Sequence, residues 1–177
     1  MSSAQPGRDA GPDVRPAAGP KDLEIAVAIL EEAIAWASAR GLDSWPAGTF
    51  AEADGWGRER LRQALDGRGL YLLWAGGEPA ATFSLLAEDR EFWPDAAEEA
   101  LYFHRFAVRR AHAGAGAGAL AWSGGEVRRR GRRYLRLDCH ASNRRIRAYY
   151  QRAGFAHRGE VMVGEMPLSL YELDVPG

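Results

Sequence analysis

From Ala113 to Ala119 the chain alternates alanine with glycine, placing Gly114, Gly116 and Gly118 between small neighbours. The apolar segment Leu101-Tyr-Phe-His-Arg-Phe-Ala-Val108 precedes this run, and a helix-forming stretch to about Arg130 follows it. A strand that ends, turns without side chains and enters a helix presents free N–H groups at the positive end of a helix dipole. Such a place suits an anion, above all a phosphate. Glycine and alanine let that anion reach the backbone. A flexible linker is the plain alternative, opposed by the structured apolar segments on both sides. A P-loop needs Gly-x4-Gly-Lys-Ser/Thr, and the run has no lysine. The dinucleotide pattern G-x-G-x-x-G/A fits Gly114, Gly116 and Ala119, with Asp138 at a suitable distance. However, five residues separate Val108 from Gly114, where that fingerprint needs a tight strand–turn–helix.

The remainder of the chain sets this turn in an α/β domain. Asp13–Pro16 reads as a short strand. Asp22 reads as the N-cap of a helix to about Arg40, in which Leu23, Val27, Leu30, Ile34 and Ala37 recur at three- and four-residue steps. Gly41 is placed to be its C′ residue. Residues 42–57 form an aromatic-rich loop or broken helix, and 58–65 a short helix. Strands over 70–75 and 79–86 are joined at Gly76-Gly77, a hairpin signal. A strand over 100–108, the glycine run and its helix, a strand over 134–139, and a helix over 143–153 closed by Gly154 come next. Further strands are predicted over 155–159, 161–163 and 168–173. This order predicts a single domain with a central mixed, mostly antiparallel twisted sheet flanked by helices on both faces. Residues 1–12 read as a flexible tail and 13–177 as the domain.

Composition narrows the function classes. Hydrophobic residues at 46% and charged residues at 27% match an ordered globular chain rather than a disordered one. Lys plus Arg is 23 against 24 for Asp plus Glu, so the basic excess of a nucleic-acid binder is missing. The arginine run over 128–133 reads as a solvated helix terminus. No apolar run approaches the ~18 residues of a membrane span. Cys139 is the single cysteine, so no intrachain disulfide is possible, which fits a cytoplasmic location. One cysteine and four scattered histidines make no zinc pattern, and no metal is expected.

The glycine run resembles motif A of the GCN5-related N-acetyltransferase (GNAT) family, a strand, then [Arg/Gln]-x-x-Gly-x-[Gly/Ala], then a helix. About 25 residues on, Leu135-Arg-Leu-Asp138 followed by Asn143-Arg-Arg-Ile-Arg-Ala-Tyr-Tyr150-Gln-Arg-Ala-Gly154-Phe155 is similar to the family's motif B. Two motifs in order and at family spacing are more specific than either alone. The resemblance covers roughly 13–173 and is sharp over 100–156. It implies acyl transfer from acetyl-CoA to an amine, with the coenzyme's diphosphate on Ala113, Gly114, Ala115, Gly116, Ala117, Gly118 and Ala119. It further implies that Phe106, Ala107 and Val108 pair their backbone with the pantetheine arm, and that Asn143 bonds the pantetheine or caps its helix. The family commonly carries arginine or glutamine at position 113 and often a basic residue at 115. Both are alanine here, which leaves the backbone N–H groups to hold the diphosphate.

The implied reaction needs a base for the amine and an acid for the departing thiolate. Tyr150 occupies the place of the family's general acid, while Tyr149 is expected in the core. Tyr102, His104 and Phe106 alternate along one face of their strand, and His104 is the best-placed group with a pKa near neutrality. Glu98 and Glu99 precede that strand and read as solvated. Asp138 could orient a neighbour. Cys139 reads as a small buried hydrophobe rather than a nucleophile. Acceptor specificity is expected from Trp36, Trp45, Trp56 and Phe92-Trp93, with Asp43, Asp54 and Glu91 making a partly acidic surround. The expected acceptor is a small-molecule amine, ahead of a peptide or protein amine, on a monomer or homodimer with no nucleic-acid or membrane partner. The alternatives are a non-catalytic acyl-CoA-binding module and a dinucleotide-binding redox protein.

Overall fold

The computed structural model describes residues 11–42, 45–94 and 99–177. Residues 1–10 of the expected tail, and Asp43 and Glu98, lie outside them. The strands are β1 (Asp13–Pro16), β2 (Leu70–Ala75), β3 (Glu78–Leu86), β4 (Ala100–Val108), β5 (Tyr134–His140), β6 (Ala156–Val163) and β7 (Met166–Asp174). The helices are α1 (Pro20–Ser38), α2 (Trp56–Asp66), α3 (Gly116–Arg129) and α4 (Arg144–Arg152), with a 3₁₀ turn at Arg110–His112. The seven strands form one sheet in the order β1-β2-β3-β4-β5-β7-β6. Only β4 and β5 run parallel, because α3 crosses between them, while every other neighbour is antiparallel.

Alternation along the strands sends side chains to two cores. Tyr71, Leu73, Phe83, Leu101, Phe103, Leu135 and Leu137 pack against Ala119, Leu120 and Val127 of α3 and Tyr150 of α4. On the other face Leu70, Leu72 and Ala107 meet Leu23, Ile29, Leu30 and Ile34 of α1 and Leu61 of α2. That second face has no helix over β5 and β7. Trp93 covers it, its ring 4.3 Å from the Arg136 guanidinium, and Arg136 is buried with its Nε 2.8 Å from Glu172 Oε2.

Several boundaries differ from the sequence reading. Asp22 is not the N-cap of α1, which starts at Pro20 after Gly19. Proline at the first helical position sacrifices no helix hydrogen bond. The Asp22 carboxylate instead accepts from the Ala18 N–H at 2.8 Å. The two strands expected over 155–163 are one strand, β6, interrupted only by a bulge between His157 and Gly159. The hairpin at Gly76 and Gly77 forms as expected, with φ of 60° and 84°. The arginines of 128–133 are not simply solvated. Arg129 and Arg130 bind Glu126, Arg133 binds Asp174, and Arg128 donates to the Pro176 carbonyl.

Candidate active site

The site begins where two strands part. β4 and β5 are in register only from Ala100–Tyr134 to Phe103–Leu137. Beyond Phe103, β4 follows β3 while β5 stays with β7, and a cleft of about 340 Å³ opens between them. Arg109 donates its N–H to Ala80 of β3 at 2.8 Å. Hydrogen-bonding direction alternates along a strand, so Phe106 and Val108 turn their backbone groups toward the open side.

A bulge shapes this wall. Ser84 pairs with His104 and Thr82 with Ala107, so Arg105 and Phe106 together face the single residue Phe83. Arg105 has φ of 49°, a left-handed conformation that costs a non-glycine residue ~1–3 kcal/mol. The extra residue breaks the expected alternation. Tyr102 and His104 do share a face, but Phe106 is shifted to the other one, 5.0 Å from the Phe103 ring. Arg105 is thereby aimed into the cleft.

His104 is 9% exposed and held from both sides. Its Nε2 lies 2.9 Å from Asp89 Oδ2, and its Nδ1 lies 3.2 Å from Asp138 Oδ1. Burial alone would lower its pKa, but the contacts with Asp138 and Asp89 together outweigh burial and raise it above 6.5. The three residues carry metal-ligand atoms within 4.8 Å of one another. The two carboxylates nonetheless approach opposite nitrogens of one ring, an arrangement that shares protons rather than surrounding a single ion. Asp89 lies in the connection between β3 and β4 and was not among the sequence candidates, since nothing in its local pattern sets it apart from Glu88 or Glu91.

Across the cleft, α4 is capped by Asn143, whose Oδ1 accepts from the Ile146 N–H at 3.1 Å. Tyr150 projects from this helix into the cleft wall, nearly buried against Tyr171 and Phe155. Burial raises its pKa, so the phenol stays protonated. Tyr149 is half-buried, and burial raises its pKa as well. Burial pushes the Cys139 thiol up to about 12, which leaves negligible thiolate near neutrality.

The glycine run lies past the end of β4. Gly114 has φ of 104°, open to glycine and strained for other residues. A Cβ on Gly116 would stand 2.9 Å from Phe106 Cζ and 3.2 Å from the Tyr149 hydroxyl, so this position admits no side chain. The N–H groups of Ala113, Ala115, Ala117, Gly118 and Ala119 donate within the local turns. Among the described residues, those of Gly114 and Gly116 have no acceptor. The Ala107 methyl is buried toward α1 and its backbone is turned to Thr82 of β3 rather than to the open side.

Two adjacent glutamates tie the halves to α1. Glu31 accepts from the N–H groups of Gly48, Phe50 and Ala51 at 3.0, 2.8 and 3.2 Å. Glu32 accepts from Arg109 Nη1 and the Arg110 N–H, both at 2.9 Å. Trp45, Trp56 and Phe92 reach the cleft, as the sequence predicted. Trp36 and Trp93 do not. Trp36 lies under Arg40 and Arg110, and Trp93 belongs to the core. Of the acidic surround, Asp54 is exposed outside the cleft and Glu91 lines it while bound to Arg60 at 2.5 Å, and Asp43 lies outside the described residues.

Comparison with known proteins agrees with this geometry. The acetyltransferase (GNAT) family profile matches residues 30–155. The chain is 29% identical over 146 residues to YesJ of Bacillus subtilis (strain 168), described as an uncharacterized N-acetyltransferase, covering 78% of this chain and 79% of YesJ. A GNAT-family acetyltransferase structure from Listeria monocytogenes 4b F2365 superposes with a TM-score of 0.73 at 22% identity, over 92% of this chain and 94% of that one. A Bacillus subtilis acetyltransferase in complex with CoA superposes with a TM-score of 0.52 at 17% identity, over 67% of this chain and 84% of that one. The chain belongs to the GNAT acetyltransferase family and is an acyltransferase.

Proposed function

We propose that the protein moves an acetyl group from acetyl-CoA to the primary amine of a small molecule by direct attack in a ternary complex. The observation that carries this reading is the parting of β4 from β5, with Tyr150 on one wall of the gap and His104 on the other. In this reading the open backbone edges of Phe106 and Val108, on either side of Ala107, pair with the pantetheine arm. The free N–H groups of Gly114 and Gly116, at the start of α3, meet the diphosphate in a bend formed by Ala113, Ala115, Ala117, Gly118 and Ala119. Asn143 caps α4 beside the arm.

The amine nitrogen bonds to the acetyl carbonyl carbon and the carbon–sulfur bond breaks. Asp138 holds the ammonium beforehand; its first proton passes to His104, neutral at that moment, which frees the amine to attack, and the second, shed by the nitrogen after attack, restores the proton that Tyr150 gives up. Tyr150 gives its proton to the departing thiolate. Cys139 has too little thiolate for a route through an acyl-cysteine.

Thermal unfolding with CoA, acetyl-CoA, NAD and NADP tests the reading. A ligand at 100 times its Kd stabilises a native protein by ~2.7 kcal/mol. CoA and acetyl-CoA are expected to raise Tm, and release of free thiol from acetyl-CoA is expected on adding amines. Stabilisation by NAD or NADP alone would overturn it. CoA binding with no thiol release for any amine would favour a non-catalytic acyl-CoA-binding module.

A further inference from the structure

Of the charged groups lining and flanking the acceptor side of the cleft, all but Arg105 have an oppositely charged or ionisable partner within 4 Å among the described residues. Asp89 and Asp138 are engaged by His104, and Glu91 by Arg60 at 2.5 Å. Arg105 faces the same space and, among the described residues, has no carboxylate within 4 Å. Its one polar contact is Nε to Ser84 Oγ at 3.4 Å, beyond the usual range for such a bond. The guanidinium is largely out of water, and burial, then the charge of Arg60, lowers its pKa to about 10. A cation so placed has lost much of its hydration, and the charges of Asp138, Asp89 and Glu91 act on it only from beyond contact distance. The bulge and the left-handed backbone at Arg105 put it there at a conformational cost, and an outlier of this kind at a cleft points to use.

Around Arg105 the cleft is mostly apolar. Trp45, Trp56 and Phe92 close it from the loops, and Ile146 and Met166 from α4 and β7. Trp56 is 56% exposed and Met166 36%, so much of this apolar surface faces the open cleft.

We infer that the acceptor is a zwitterion with an apolar body, an amino acid or close relative, whose carboxylate pairs with Arg105 while its ammonium rests on Asp138 beside His104. This rests on the transferase reading above and names its substrate class. Guanidinium and carboxylate match as planar, two-pronged partners. The zwitterion adds no net charge to the site and brings a carboxylate to the one cleft-lining guanidinium that has none within 4 Å among the described residues. It narrows the small-molecule amine expected from the sequence to one that also carries a carboxylate.

The test is a panel of apolar amino acids (L-leucine, L-methionine, L-phenylalanine and L-tryptophan), each beside its amide and its decarboxylated amine, assayed with acetyl-CoA on the full chain. For at least one side chain, kcat/KM for the acid is expected to exceed that for the amide and the amine by roughly 10–100-fold, the range of a charge-assisted contact. In Arg105→Gln that ratio should fall toward one, chiefly through KM, and Arg105→Lys should restore part of it. Calorimetric binding of N-acetyl-L-phenylalanine and its amide to the CoA-bound protein gives a second readout, with the acid tighter in the wild type only. Acetylation of the amines or amides as well as the acids, or a ratio unchanged in Arg105→Gln, would overturn the inference and leave the transferase reading intact. No transfer to any amine, acid or not, would sink the transferase reading and this inference with it.

Discussion

The two walls of the cleft are built by opposite means. On the proposed function the coenzyme wall is backbone: the open edge of β4 after Phe103, and the bend at 113–119 where side chains are nearly absent. On the same proposal the acceptor wall is side chains, with Trp45 ahead of α2, Trp56 at its first residue, Asp89 and Phe92 from the connection after β3, and His104, Arg105 and Asp138 from the ends of β4 and β5. A diphosphate and an amide arm are common to every acyl-CoA, so main-chain groups suffice for them. An acceptor is particular, and recognising it requires side chains brought together from distant segments. Glu31 and Glu32 show the division within two residues of α1, one carboxylate fastening the acceptor loop and the other the start of the coenzyme bend.

The sharpest break in this comparison is at Tyr150, which serves both walls. Tyr150→Phe keeps the ring in its pocket and removes the proton. Turnover should fall on the order of 10²-fold or more with CoA affinity little changed, read by steady-state kinetics beside calorimetry. A turnover within twofold of wild type would remove the tyrosine from the chemistry. Next comes Gly116→Val, which forces a side chain against Phe106 and Tyr149. Its CoA-induced rise in Tm should shrink to near zero, while Arg105→Gln keeps that rise in full. Equal loss in both variants would mean that the walls are not separate.

A third experiment concerns pH. His104 acts as a base only when neutral, and its pKa lies above 6.5 because Asp138 and Asp89 overcome burial. The rate should therefore climb with pH through that raised value. Asp89→Asn removes one raising contact, so the acid limb should move to lower pH. Stability should respond in the opposite sense. A group more basic when folded contributes fully below its unfolded value near 6.5, and the contribution is lost as pH rises through the folded value. An acid limb at the same pH in Asp89→Asn would assign the base elsewhere. The smallest effects belong to the glutamates. Glu31→Ala should raise the acceptor KM and Glu32→Ala the acetyl-CoA KM, each by several-fold, as expected for loss of contacts worth ~1–2 kcal/mol. Both variants acting on the same KM would contradict the division.

The bend proposed to hold the coenzyme is legible in the sequence because it is local. A Gly-Ala run between a strand and a helix has few conformations that use it, and its partner motif, Asn143 to Phe155, lies on one helix and its exit. The acceptor wall could be read only in part. Trp45, Trp56 and Phe92 were found by their excess of apolar surface in loops, whereas the same signal misplaced Trp36 and Trp93. His104 was found by residue type, and Asp89 was missed because acidic residues crowd its segment. Arg105 was hidden by the bulge. A period of two is all that a strand sequence supplies, and one inserted residue turns every later side chain to the other face.

By itself, then, the order of residues determined the family, the mixed sheet and the side-chain-poor bend, since hydrophobic period and glycine placement act over a few neighbours. Only the tertiary structure decided which charges meet. Contacts between Asp89, His104 and Asp138, and the lack of one at Arg105, depend on where β4 leaves β5 and on a bulge set by its pairing with β3. Those are properties of strands side by side, and no stretch of one strand contains them.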